Sequence, residues 1–129
     1  MPHAGQVRLV LIAGTAISRA SFQASLYSKA GFYAIPLFVP PHTTIQTRSH
    51  REDRVATVVS GEWHFGYGNH FDTKLLKTLH PGSVYSEPGG DNHFAQADND
   101  AVVVEVSGYA PTDTHYFEAA NDPGSREKK

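Results

Sequence analysis

Residues 82–97 read Gly82-Ser83-Val84-Tyr85-Ser86-Glu87-Pro88-Gly89-Gly90-Asp91-Asn92-His93-Phe94-Ala95-Gln96-Ala97. Pro81-Gly82 at the head of this stretch and Pro88-Gly89-Gly90-Asp91-Asn92 within it are strong breakers, because proline lacks a backbone donor and glycine accepts positive φ. They bracket a short strand over Ser83 to Ser86 and lead into a second over His93 to Ala97. Short β runs closed by such turns are the pattern of a barrel or sandwich.

The pattern continues in both directions. β-branched and aromatic runs separated by Gly, Pro, Asn and Asp predict strands near Arg8 to Ala13, Phe22 to Tyr27, Phe32 to Val39, Ile45 to His50, Arg54 to Ser60, Glu62 to Tyr67, Lys74 to Leu79 and Ala101 to Val106. Ser60-Gly61 between two of them predicts a tight hairpin with Gly61 at positive φ. No window of eleven or more residues carries a 3.6-residue apolar period, so a long helix is not expected. The 129 residues suit one all-β domain over 1–129, with its core at about 22–111 and a polar tail at about 121–129.

Composition narrows the function classes. A net charge of -2 and the lack of a dense Lys/Arg stripe remove the electrostatic drive for nucleic-acid binding. Arg48, Arg51 and Arg54 are interleaved with His50, Glu52 and Asp53, which suits a polar network or an anion site. With no cysteine, thiolate metal sites, disulfides and thiol nucleophiles are excluded. The apolar run from Leu9 to Ala13 is too short to span a bilayer. Arg8 before it and Ser18 to Ser21 after it faintly resemble a secretory signal, but a first strand is preferred and a cytoplasmic protein is expected.

Two stretches together resemble the cupins. Pro40 to His50, followed by Arg54 and Gly61, is similar to the first cupin motif, in which two histidines separated by one residue precede a glutamate and a hairpin glycine. Gly82, Pro88, Gly90 and His93 match the spacing of the second motif, with Ala97 where its asparagine stands. The resemblance implies a single jelly-roll-like double-stranded β-helix barrel and a cavity facing His50 and His93. In the family, two histidines and a glutamate of motif 1 and the histidine of motif 2 hold a divalent metal. Here these positions carry Arg48, His50, Arg54 and His93, so two ligands of four remain, beside two guanidinium groups that repel a cation.

The resemblance and the residue chemistry leave three readings open. In the first, an isomerase, lyase or cyclase works without metal on a small anionic or oxygen-rich substrate, with His50 and His93 moving protons and Arg48 holding negative charge. Arg54, Gln46, His64, Tyr85 and Glu105 are then candidate substrate-binding residues. In the second, the barrel binds a small ligand without turning it over. In the third, a single divalent metal sits on His50, His93, Gln46 and one further ligand, with His64, Glu105 or Asp91 in reach, strict alternation placing Gln46, Arg48 and His50 on one face, and the activity is that of a metal-dependent lyase or dioxygenase. Alternation also puts Tyr85 and Glu87 on a shared face, inside or outside the barrel. Plain alternatives stand beside each: histidines satisfied by hydrogen bonds, Arg48 tied to Glu52, Asp53 or Glu105, Tyr85 in the core, and Glu105 facing solvent. The apolar strand Leu9 to Ile12 offers an edge for a homodimer.

Overall fold

The computed structural model describes residues 8–9 and 29–121. Among the described residues, ten strands form two antiparallel five-stranded sheets. The first has the order β1 (Arg8–Leu9), β2 (Gly31–Val39), β9 (Val102–Ala110), β4 (Arg54–Ser60), β7 (Val84–Glu87). The second has the order β10 (His115–Tyr116), β3 (Thr43–Ser49), β8 (His93–Ala97), β5 (Trp63–Tyr67), β6 (Lys77–Leu79).

Period-two patterning explains why the sheets close on each other. Along β9, Val102, Val104 and Val106 are buried while Glu105 between them is exposed. Tyr33, Ile35 and Val39 of β2 and Ala56 and Val58 of β4 face the same interior, and Ile45, Trp63, Phe65, Ala95 and Ala97 meet them from the second sheet. Each valine or larger side chain fully buried this way stabilises the fold by roughly 1.5–3 kcal/mol before entropy is counted.

Several elements differ from the sequence expectation for local reasons. The Lys74 to Leu79 strand divides into a 3-10 turn at Thr73–Leu75 and the short strand β6, because the Asp72 side chain accepts from the Lys74 amide and caps a helical turn there. Strand β9 runs on to Ala110 because all nine residues of β2 pair with it. Strand β10 was not expected at all. The Phe22 to Tyr27 strand, most of the Arg8 to Ala13 strand and most of the 121–129 tail lie outside the described residues. Gly61 has φ +81°, and a Cβ there would run into the Ala101 carbonyl oxygen. Among the described residues no helix is long and apolar enough to cross a membrane.

Candidate functional site

Strand ends assemble the site at one end of the barrel. Arg54 opens β4 and Glu87 closes β7, and the two stand opposite each other in register. His93 opens β8 opposite Arg48 of β3, and His50 follows the end of β3. The turn 50–53 is fastened to the Pro88 loop by two bonds: the Gly90 amide donates to the His50 carbonyl (2.8 Å) and the Gly89 amide to Asp53 Oδ1 (2.7 Å). A Cβ on Gly89 would collide with the Arg51 carbonyl, so this close approach requires glycine.

Four charged or titratable side chains meet there almost free of solvent. His50, Arg54, Glu87 and His93 are 2 %, 7 %, 4 % and 3 % exposed. His50 Nε2 lies 3.7 Å from Glu87 Oε1 and His93 Nε2 lies 3.8 Å from Glu87 Oε2, with the two imidazole centroids 5.1 Å apart. Arg54 Nε is 2.9 Å from Glu87 Oε1. Phe65 stacks on His93 at 5.4 Å and meets Tyr85 at a tilt at 4.2 Å, and Trp63 Nε1 donates to the Tyr85 hydroxyl (3.0 Å), so one wall is aromatic.

The tautomer of His50 follows from its surroundings. Its Nδ1 lies 2.7 Å from the Asp113 carbonyl oxygen, which can only accept, so Nδ1 carries the proton. The lone pair is left on Nε2, pointing at Glu87. Desolvation pushes the His50 imidazolium down to about 2, helped by the charges of Arg54 and Arg48. Desolvation likewise lowers His93 to about 4, with Glu87 opposing and Arg48 and Arg54 adding to the shift. Both rings are therefore neutral at pH 7. Neither Nε2 atom has a hydrogen-bond partner among the described residues. The His50 lone pair and the unpartnered Nε2 of His93 thus face the two oxygens of one carboxylate, an arrangement that suits a cation among them.

His50, Glu87 and His93 form a buried group whose ligand atoms lie within 4.8 Å of one another, and this group can hold a metal ion. Two ligands about 2.1 Å from a common ion stand roughly 3.0–3.4 Å apart, so the set needs to contract by about 0.3–0.8 Å along each His–Glu edge. The donors, two neutral imidazoles and a carboxylate, suit a divalent transition metal.

The other sequence candidates divide into those that reach this cluster and those that do not. Arg48 pairs across the ladder with His93, and its Nε is buried without a hydrogen bond. Among the described residues it makes a long hydrogen bond to the Tyr116 hydroxyl (3.4 Å) and lies 6.0 Å from that ring. Glu52 does not neutralise it, because that carboxylate accepts from the Tyr33 hydroxyl (2.8 Å) and from Thr112 Oγ1 (2.9 Å). Tyr85 is half-buried and faces inward with Ala56.

Three expectations need correction. Glu105 is exposed on the outer face of β9 and does not reach the cavity. His64 alternates outward between Trp63 and Phe65, with Nδ1 hydrogen-bonded to Thr78 Oγ1 and Nε2 within ion-pair distance of Asp98 and Glu62. Gln46 does not share a face with Arg48, because Ile45 pairs with Ala95 and Arg48 with His93, three steps against two. That bulge breaks the alternation on which the Gln46 assignment rested.

Sequence reasoning missed Glu87 as a candidate ligand and missed the segment 112–116. The first had a legible signal: Glu87 precedes Pro88 and sits two residues from Tyr85, on one face with it. The second had none, since Asp113 acts through its backbone carbonyl.

No protein-family model matches the chain, and no curated protein does. Solved structures match with confidence. A DMSP lyase, from the work on RdDddP and RnDddQII, superposes with TM-score 0.57 at 18 % identity over 66 % of this chain and 43 % of its own. The polyketide cyclase RemF from Streptomyces resistomycificus gives 0.61 at 15 % over 76 % and 68 %. An RmlC-like cupin from Shewanella frigidimarina gives 0.51 at 19 % over 60 % and 65 %. The matched region spans less than half of the lyase chain and just under two thirds of the RmlC-like protein.

Proposed function

The chain has the cupin fold, and from that premise we propose that it is a small-molecule enzyme holding a divalent metal on His50, Glu87 and His93. Its substrate is a small, oxygen-rich anion met by Arg48 and Arg54. The observation that carries this reading is the pair of bare Nε2 atoms facing opposite oxygens of Glu87. An imidazole held at about 4 or about 2 is a poor proton shuttle at neutral pH, whereas a neutral imidazole is what a metal requires. This argues against His50 and His93 as the acid and base of a metal-free reaction.

When bound, the metal supplies Lewis acidity toward a substrate oxygen. The protein's own groups do the rest. The Asp113 carbonyl holds His50 with Nε2 inward. Arg48, which has no carboxylate within ion-pair distance among the described residues, receives the anionic end of the substrate. Phe65, Trp63 and Tyr85 exclude water from one side and strengthen every charged contact within. A lyase or isomerase acting beside a carboxylate suits this set, and the lyase and cyclase activities found on the same fold are compatible with it.

A second reading, metal-free chemistry or plain ligand binding, is favoured by one contact, the 2.9 Å approach of Arg54 to Glu87. Elemental analysis of protein purified without added metal salts separates the two. Near-stoichiometric Mn, Fe, Ni, Cu or Zn that disappears in Glu87→Gln and in the His50→Ala, His93→Ala double variant supports the metal reading. Protein that takes up no metal when dialysed against each ion rejects it.

A further inference from the structure

Arg54 is badly served where it stands. Its Nε lies 2.9 Å from Glu87 Oε1 but makes no aligned hydrogen bond, so the contact is ionic without the directed geometry of a guanidinium–carboxylate fork. Its Nη1 lies 3.3 Å from His50 Nδ1, and that nitrogen gives its proton to the Asp113 carbonyl. A donor there meets a donor. Glu87 Oε1 is also the oxygen that faces the free lone pair of His50, so Arg54 holds an atom that the metal needs.

The charge balance points the same way. The side-chain charges acting on His93 and on Tyr85 are Glu87, Arg48 and Arg54. Two guanidinium groups, buried Arg54 and partly exposed Arg48, against one carboxylate leave one net positive charge at the site, and a divalent ion would raise it to three. A partly buried excess of that size is unfavourable unless anions arrive with it.

We propose that Arg54 is a displaceable internal counter-ion: it neutralises Glu87 until a metal takes that carboxylate, then turns to a carboxylate of the incoming ligand, so that metal and organic anion bind cooperatively. This rests on the metal reading above and adds to it a second binding partner, a small carboxylate, and a rule for the order of assembly. The long arginine side chain can make the exchange by rotation about its own bonds while β4 and β7 stay paired. By linkage, whatever factor the anion adds to metal affinity, the metal adds to anion affinity.

The test is a Mn2+ titration of EDTA-stripped protein, followed by electron paramagnetic resonance in acetate-free buffer and repeated in rising acetate, with chloride as the ionic-strength control. In the wild type, saturating acetate tightens Mn2+ binding at least tenfold. Arg54→Met binds Mn2+ at least tenfold more tightly than wild type without acetate, and acetate then changes its affinity less than threefold. Arg54→Lys, which keeps the charge, retains part of the coupling and guards against a folding artefact. Acetate-independent Mn2+ affinity in the wild type overturns the proposal. So does weaker Mn2+ binding by Arg54→Met, which would make Arg54 a support that orients Glu87. Wild type that binds no Mn2+ under either condition refutes the metal reading itself, a result distinct from metal binding without coupling.

Discussion

Replacing Glu87 by Gln removes the carboxylate but keeps the shape. It leaves the Arg54 guanidinium, 7 % exposed, with no carboxylate within ion-pair distance among the described residues. Breaking a buried ion pair from one side costs about 3–5 kcal/mol, and the Gln amide oxygen recovers part of this, so a loss near 3 kcal/mol is expected. At roughly 4 °C per kcal/mol for a chain of this size, the melting temperature drops by about 12 °C. Arg54→Met alone is also destabilising, since it strands the buried Glu87 carboxylate beside two neutral imidazoles. The Arg54→Met, Glu87→Gln double variant removes both charges and returns to within about 1 kcal/mol of wild type, giving a coupling energy of roughly 2–4 kcal/mol. Urea unfolding of metal-free protein followed by circular dichroism, with melts as a check, measures the full cycle. Additivity within about 0.5 kcal/mol would refute the reasoning, because it would mean that water screens the pair and that the cluster is not the closed, low-dielectric site described above.

Acid should unfold the metal-free protein through its histidines. Below pH 6.5 the unfolded chain binds protons that folded His93 refuses until about 4 and folded His50 until about 2, so stability falls as pH drops. Between about pH 5.5 and 4.5 the slope approaches two protons, about 2.7 kcal/mol per pH unit, and His93→Asn lowers it to about one; a flat profile from pH 7 to 5 contradicts the burial argument. Gly61→Ala is expected to cost at least 2 kcal/mol in denaturant unfolding, since a Cβ at φ +81° meets the Ala101 carbonyl. Glu105→Ala and His64→Ala, both on outer faces, should leave Mn2+ affinity within twofold of wild type and stability within about 1 kcal/mol.

How much of this was legible in the residues depends on the range of the forces involved. Arg54–Ser60 and His93–Ala97 fall where β propensity and breaker residues put them, because both signals are local. The fold follows from the spacing of Gly82, Pro88, Gly90 and His93 with the turn glycine at 61. The site was read less completely. A bulge is invisible in a pattern of alternating side chains, so the face of Gln46 was misjudged. The carboxylate expected at position 54 stands instead across the ladder at Glu87, with Arg54 in its place, and only the register of β4 against β7 reveals that exchange. Asp113 orients His50 through a main-chain oxygen, which leaves no trace in residue type.

That last contact also bears on how the protein is made. His50 and Asp113 are 63 residues apart, and the Arg48–Tyr116 contact spans 68. A ribosome adding about 5–20 residues per second needs several seconds to travel between the two ends of the first pair. Only over the last 20 residues of that interval, about 1–4 s, does a nascent chain contain both histidines and Glu87 while nothing yet fixes the His50 ring. The pocket is thus a late product of synthesis, assembled when the segment carrying Asp113 and Tyr116 docks. An ion met before that docking finds only loose side chains, so any selection among metals at this cluster falls to the finished barrel.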